Sequence, residues 1–146
     1  MKSSKYYQIV DAYKYLKHPE KYKGKRPITL RSSYEIKFVF GFLDKRQDII
    51  WWSNESVVIP YFDEVEKRMR RYFPDFLFEA KTKSGNKTFL VEIKPYKETI
   101  EPQKKGKNYK SRLETWIRNN CKWNSAKQWC KENGYEFVII TEKELG

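Results

Sequence analysis

Two short stretches of the sequence carry acids and a lysine at positions where neighbouring strands could bring them together. One holds Asp75, directly after a proline, and the other holds Glu92 and Lys94, beginning 17 positions later. Side chains alternate between the two faces of a strand, so Glu92 and Lys94 share a face with Leu90, while the apolar residues 89, 91 and 93 point the other way. The sequence therefore places an acid and a base side by side on a strand that otherwise reads as buried.

The turn residues 83–86 predict that the strands on either side form a hairpin. In one register Asp75 faces Lys94, and in a register shifted by two residues it faces Glu92. Opposed Cβ atoms lie about 5 Å apart, so the three groups share one patch in both registers. Two carboxylates this close favour a divalent cation with hard oxygen ligands. The alternative is a cross-strand ion pair between Asp75 and Lys94, with Glu92 exposed.

The Glu-x-Lys pattern alone is weak evidence, because a lysine-rich chain produces it by chance. It occurs three times, ending at Lys37, Lys81 and Lys94. Only the third copy stands on a buried strand opposite another acid.

The elements that must position these groups alternate between helix and strand. In chain order, the sequence predicts a helix capped by Ser32 or Ser33 and ending near 43, β-rich runs at 49–52 and 56–61, strands over 71–80 and 87–95, a helix from 111, and a final strand over 135–141. Pro74 predicts an edge strand or a strand start, since proline cannot donate to a ladder. The second helix is expected to break near Asn119-Asn120, and the last strand to be fully buried. The order αβββαβ predicts an α/β fold with a mixed sheet flanked by helices.

Charge and composition limit the class of partner and the kinds of side chain that could carry out chemistry. The chain has 146 residues and a net charge of +12, concentrated in residues 1–30 (net +6) and 96–131 (net +7). Two such blocks predict a polyanionic partner, with nucleic acid as the default. One histidine and two cysteines exclude a disulfide scaffold and the usual four-ligand zinc site, so carboxylates, lysines and hydroxyls must carry the chemistry.

The termini and loops complete the domain plan. Residues 1–27 are expected to be a loosely packed basic arm, with a short helix over 6–16, and 97–110 to be a mobile basic loop. No stretch approaches the roughly 20 apolar residues of a membrane span or the form of a signal peptide. These features predict an intracellular protein without a membrane partner.

At this point the residues resemble a known family. Pro74-Asp75 followed by Glu92-Ile93-Lys94 is similar to the signature of PD-(D/E)XK nucleases. Further similarity lies at 31–35, 53–61, 71–76, 91–95 and 123–145. Together these stretches resemble the endonuclease subunit of heteromeric transposon transposases and, more closely, the head completion nucleases of tailed bacteriophages. The resemblance covers residues 28–145 and implies a restriction-endonuclease-like core over 28–146.

The resemblance also implies roles for individual residues. Asp75 and Glu92 match the acids that bind Mg²⁺, or Mn²⁺ in its place, and the Ile93 carbonyl is a further expected ligand. Glu35 matches the helix glutamate that completes the catalytic and metal site; an ordinary acid at a helix N-terminus is the alternative. Lys94 matches the lysine that orients water or stabilises the transition state. The candidates for DNA binding are Arg31, Lys104, Lys105, Lys107, Lys110 and Lys127, the last of which could equally lie on a solvated helix face.

The function implied is a metal-dependent DNA endonuclease of low sequence specificity that acts in phage head completion and DNA packaging. Its partners would be DNA and phage head or portal proteins, and it would act in the host cytoplasm or in association with the virion. One alternative is a non-catalytic DNA-binding or assembly protein that keeps the nuclease fold. Another is a basic RNA-binding protein with exposed aromatic side chains.

Overall fold

The computed structural model describes residues 8–146 and has a four-stranded mixed sheet at its centre. The strands are β1 (Ile49–Asn54), β2 (Ile59–Asp63), β3 (Arg68–Tyr72), β4 (Phe76–Thr82), β5 (Gly85–Ile93) and β6 (Glu136–Ile140). The central sheet has the order β1-β4-β5-β6, in which only β6 runs parallel to its neighbour. Strands β2 and β3 form a separate antiparallel ribbon. The predicted mixed sheet with flanking helices is confirmed.

Over residues 8–146, three α-helices accompany the strands. They are α1 (Ser33–Phe38), which continues as a π-helical turn over Val39–Leu43, α2 (Tyr109–Asn133) and α3 (Glu142–Leu145). The predicted cap of α1 is confirmed, because the hydroxyl of Ser32 accepts the backbone N–H of Glu35 at 3.2 Å. Between residues 8 and 146, no helix is both long enough and apolar enough to cross a bilayer.

Helix α2 runs without interruption through Asn119-Asn120, so the predicted break is wrong. The side-chain amide of Asn120 donates to the carbonyl of Trp116 at 2.8 Å, one turn back along the same helix. Asn119 is buried against the rest of the protein. Both polar side chains are therefore accommodated within the helix, and α2 ends at Gly134, whose φ of +72° suits a residue without Cβ.

The side chains of β5 point alternately to the two faces of the sheet, and each face packs against its own apolar core. Val91 and Ile93 belong to the core that includes Phe38 of α1. Leu90 belongs to the opposite core, where it lies with Trp123 of α2. Glu92 and Lys94 therefore lie on the α2 side of the sheet, as the alternation predicts.

The single strand predicted over 71–80 is two strands in the structure. Tyr72 ends β3, Pro74 and Asp75 lie between the sheets, and Phe76 begins β4. Because Pro74 has no N–H to donate, the chain leaves the β2–β3 ribbon at this point and enters the central sheet. β4 lies between β1 and β5, so it starts after the proline but is not an edge strand.

Strand β6 was expected to be fully buried because of its apolar sequence, and this is wrong. It pairs with β5 alone and forms the edge of the sheet, so residues 137–140 are half-buried. Its parallel direction follows from the crossover through α2.

The expected loose packing of the N-terminal arm is wrong for its described residues, 8–27. Ala12 is fully buried, and Tyr22 packs against Trp52 of β1 at a ring-centroid distance of 4.7 Å. In place of the helix predicted over 6–16, the structure has a 3₁₀ turn over Ala12–Tyr15; Tyr6 and Tyr7 lie outside the described residues. This segment therefore contributes to the core as well as to the charge.

A buried ionic contact fastens the β2–β3 ribbon to α2. The carboxylate of Asp63, at the end of β2, is fully buried and accepts hydrogen bonds from Arg118 of α2 at 2.9 Å and Arg70 of β3 at 3.1 Å. Burial alone would raise the pKa of Asp63. The hydrogen bonds from Arg118, Arg70 and two backbone N–H groups overcome that effect and hold the pKa well below its ordinary value.

We expect Asp63→Asn to lower the free energy of unfolding at pH 7 by about 2–3 kcal/mol, because it removes a buried carboxylate that accepts charged hydrogen bonds from Arg118 and Arg70, which are themselves only partly buried. A lowered folded-state pKa stabilises the protein above the unfolded value of about 3.9, and this contribution declines progressively as the pH falls from that value through the folded-state pKa. The difference between the two proteins should therefore shrink in urea unfolding at about pH 3. As a control, Asp48→Asn removes a partly exposed pair with Arg46 and should cost about 0–1 kcal/mol. Equal losses for the two variants would contradict this role of Asp63.

Candidate active site

The hairpin register places Asp75 opposite Glu92, the second of the two predicted arrangements. Phe76 pairs with Val91, so the preceding residue, Asp75, comes opposite Glu92 at the open end of the hairpin. The Oδ2 atom of Asp75 accepts the backbone N–H of Ile93 at 2.7 Å. This bond ties the loop before β4 to the end of β5.

The alternative of an Asp75–Lys94 ion pair with an exposed Glu92 is wrong. The ammonium of Lys94 lies 3.5 Å from Oε2 of Glu92, on its own strand. Glu92 is only 6% exposed. The acid beside the lysine is therefore buried, and among residues 8–146 no cationic side chain forms an ion pair with Asp75.

A polar cavity of about 230 Å³ lies over these groups, between α1 and the end of β5. It brings together Glu35, Asp75, Glu92, Ile93 and Lys94, the residues that the sequence singles out for catalysis and metal binding. Ser32, Tyr34, Pro95 and Glu98 complete the lining. The carboxylates of Glu35, Asp75 and Glu92 come from three separate segments of the chain, and only the tertiary fold places them around one space.

The two facing acids hold protons more tightly than ordinary carboxyl groups. Burial raises the pKa of Asp75 well above its ordinary value, and the nearby charges of Glu92 and Glu35 raise it further. Burial also raises the pKa of Glu92, although Lys94 and the hydroxyl of Tyr72 oppose that rise. Two neighbouring carboxylates, one buried and one partly buried, are thus poorly compensated, which is the electrostatic condition that a divalent cation relieves.

The donor set fits Mg²⁺. This ion takes oxygen ligands, keeps several waters, and is usually bound through only one or two protein carboxylates. Asp75 and Glu92 supply the two carboxylates, and the Ile93 peptide lines the same cavity. Within residues 8–146, no three His, Cys, Asp or Glu side chains form a ready-made metal cage. A cation here would therefore complete its shell with backbone, water or substrate oxygens.

Glu35 lines the cavity, but its carboxylate is bound at the start of α1. Its Oε2 accepts the hydroxyl of Ser32 at 3.0 Å, and its Oε1 accepts the backbone N–H of Arg31 at 3.4 Å. Burial raises its pKa, and these two hydrogen bonds oppose the rise. The contacts are those of a helix N-terminal acid, and its role as a metal ligand stays a prediction.

Tyr72 is a site residue that the sequence did not indicate. Its hydroxyl donates to Oε1 of Glu92 at 2.6 Å inside the protein. Burial and the adjacent charge of Glu92 raise the pKa of Tyr72, so the hydroxyl remains a donor. Because Tyr72 lies on the ribbon and Glu92 in the central sheet, no local pattern could reveal this contact.

Lys122 is a second lysine near the site, on α2. Its ammonium lies 5.8 Å from the centre of the Tyr72 ring and 6.0 Å from that of Tyr61. Burial lowers the pKa of Lys122, and the charge of Lys94 lowers it further. Lys122 lies three residues after Asn119 and four before Ala126, both of which are buried, so a continuous helix places all three on one face. The break predicted at Asn119-Asn120 removed that relation.

The predicted DNA-binding residues divide into three groups. Arg31 precedes the cavity residue Ser32 and forms a partly exposed pair with Glu55 at 3.1 Å. Exposed positions in the loop before α2 and at its first turn hold Lys104, Lys105, Lys107 and Lys110. Lys127 is exposed on α2 and does not line the cavity, which matches the solvated-face alternative.

Comparisons with known proteins bear on what this site does. Residues 46–142 match the family model described as the TnsA-like endonuclease N-terminal domain. The chain is also 41% identical over 137 residues to the head completion nuclease of Enterobacteria phage T4, covering 88% of this chain and 89% of that protein. No solved structure matches significantly.

We expect Asp75→Asn to stabilise the protein at pH 7 in EDTA. The folded-state pKa of Asp75 lies above the unfolded value of about 3.9, so the wild type loses stability as the pH rises from about 4 through the raised pKa. Asparagine does not ionise, and its carbonyl can still accept the Ile93 N–H. Urea unfolding should show the variant to be more stable at pH 7, with little difference at about pH 3. A variant less stable than the wild type at pH 7 would contradict the repulsion between the carboxylates of Asp75 and Glu92.

Proposed function

This chain belongs to the TnsA-like endonuclease family, and on that premise we propose that the cavity holding Asp75, Glu92 and Lys94 hydrolyses DNA phosphodiester bonds in a Mg²⁺-dependent reaction. One observation carries the proposal. Two carboxylates face each other with raised pKa values, the buried Glu92 and the partly buried Asp75, and a lysine stands beside them in a polar cavity. A purely structural hairpin would gain nothing from taking both acids out of water.

In this proposal Asp75 and Glu92 hold the metal, with the Ile93 carbonyl as a further ligand and Glu35 completing the site from α1. A bound Mg²⁺, or Mn²⁺ in its place, supplies Lewis-acid neutralisation of phosphate charge and lowers the pKa of water. Tyr72 holds the Glu92 carboxylate in one orientation through its 2.6 Å hydrogen bond. The protein thus presents its ligands with little need for reorganisation.

Lys94 supplies fixed positive charge next to the reacting phosphate. Its partner in the structure is Glu92, at 3.5 Å, and its side chain is 26% exposed towards the cavity. Lys94 lines the same cavity as the two acids, so its ammonium would lie beside a phosphate held there. A preorganised charge of this kind stabilises the transition state more than the ground state.

The basic surface would hold the DNA backbone. Arg31 is exposed and directly precedes the cavity residue Ser32. The loop before α2 carries three exposed lysines, and the first turn of α2 carries a fourth: Lys104, Lys105, Lys107 and Lys110. Contacts between such side chains and phosphates position DNA without reading its sequence. We therefore propose low sequence specificity, with the net charge of +12 providing affinity.

The relative named head completion nuclease suggests the biological step. We propose that this protein cleaves DNA during phage head completion and packaging, beside head or portal proteins. It would then act in the host cytoplasm and in association with the virion. The alternative, a DNA-binding or assembly protein that keeps the fold without catalysis, requires that loss of the site acids leave its activity unchanged.

Nicking of supercoiled plasmid tests the metal site. The wild type should cleave with Mg²⁺ or Mn²⁺ and stop when EDTA is added. Asp75→Ala and Glu92→Ala should each abolish cleavage but retain DNA binding, because removing an acid near phosphate also removes repulsion. Substantial cleavage by both variants, or by the wild type in EDTA, would contradict the proposed site.

A second prediction separates catalysis from structure at Lys94. We expect Lys94→Met to lower the cleavage rate by roughly 100-fold or more at saturating metal, as for loss of other preorganised charge stabilisers. A lysine that merely pairs with the buried Glu92 would contribute to stability but would spare the rate measured at equal folded fraction.

Lys37→Met and Lys81→Met are the matched controls. Both lysines end a Glu-x-Lys sequence, and both are exposed and outside the cavity. The cleavage rates of the three variants are compared from one time course each, at equal fractions of folded protein. Equal rates for all three variants would remove Lys94 from the mechanism.

A further inference from the structure

A second groove adjoins the catalytic cavity and is larger, at about 860 Å³. It lies between the segment 97–107 and the first turns of α2. Glu98 lines both spaces, so the groove opens directly beside the site acids. Its volume falls in the range of roughly 300–1,000 Å³ that is usual for ligand pockets.

The wall of this groove is held in place by one side chain. The guanidinium of Arg112 donates to the carbonyls of Lys105 at 2.7 Å, Gln103 at 3.4 Å and Lys107 at 3.4 Å. These bonds attach the loop to the start of α2. The groove is therefore shaped before any ligand arrives, which reduces the entropy lost on binding.

The lining combines apolar and cationic groups. Ile100 is 48% exposed, and Pro102 and Trp116 are half-buried around the same space. The side chains of Lys105 and Lys107 line it as well. Acids are fewer than basic groups, with Glu98 and Glu101 against three lysines and Arg112. A flat apolar ring with an attached phosphate suits this combination of surfaces.

We propose that the groove binds unpaired nucleotides of the DNA strand that enters the catalytic cavity. An unpaired base can stack on Trp116 while its phosphates contact Lys105 and Lys107. Paired bases are already stacked within the duplex and cannot reach the groove. The preferred substrate is then DNA with a single-stranded segment beside the cleavage point. This inference rests on the proposed function and specifies its substrate class.

The test compares the affinity of single-stranded and blunt duplex DNA of about 20 nucleotides, measured by fluorescence anisotropy in EDTA. Trp116→Ala should weaken single-strand binding about ten-fold or more, since stacking on one aromatic ring contributes this much per base. Duplex affinity should change by less than about two-fold, since phosphate contacts are unaltered. Trp116→Phe keeps an aromatic face and should retain most of the affinity.

Two further variants distinguish a loss of binding in the groove from misfolding and from non-specific stacking on exposed aromatic rings. Ile100→Ser changes a half-exposed side chain in the groove and should also weaken single-strand binding selectively. Tyr15→Ala removes an aromatic ring that is 65% exposed outside the groove and should change neither affinity.

Unchanged single-strand affinity in both Trp116→Ala and Ile100→Ser would overturn the proposal and assign the groove to a protein segment instead. Equal losses for single-stranded and duplex DNA would overturn it too. Because binding is measured without metal, a wild-type protein that fails to cleave would overturn the proposed function and leave this test intact.

Discussion

The close approach of two carboxylates, the partly buried Asp75 before β4 and the buried Glu92 on β5, is the constraint on which the rest of the structure depends. Each acid would be more stable in water, so the fold must oppose their repulsion with specific contacts. The Ile93 N–H binds Asp75, and the Tyr72 hydroxyl and Lys94 ammonium bind Glu92. Even so, the pKa values of both acids remain raised. Stability given up in this way is common at functional sites.

The β2–β3 ribbon is part of the site although it lies outside the central sheet. It carries Tyr72, the donor that orients Glu92, and it is fastened to α2 through the buried carboxylate of Asp63. The same helix places Lys122 over the tyrosine rings of the ribbon. A long helix, a two-stranded ribbon and the end of β5 thus act together, and a change in any one of them reaches the carboxylate of Glu92.

The positive charge of the chain is distributed around this acidic centre. Arg31 directly precedes the cavity residue Ser32, Lys97, Lys105 and Lys107 line the adjoining groove, and Lys94 and Lys122 stand beside the acids. A polyanion attracted to the surface is therefore directed towards a place where its own charge would meet carboxylates. In the function proposed, a cation between them would remove that conflict.

The sequence by itself determined the α/β class, the hairpin and the identity of the central acids and lysine. Alternation along β5, the turn at 83–86 and the cap at Ser32 are local signals, and local geometry obeys them. The sequence left two possible registers for the hairpin, because a shift of two residues keeps every side chain on the same face of the sheet. Only pairing in three dimensions chose the register that opposes Asp75 and Glu92.

Tertiary structure alone decided the remaining features. The division of 71–80 into two strands, the edge position of β6 and the packing of residues 8–27 depend on which surfaces meet. The contacts of Tyr72 and Lys122 join elements that are distant in sequence, so no periodicity encodes them. Hydrogen bonds such as those of Asn120 also override local propensity, because a polar group satisfied within a helix no longer ends it.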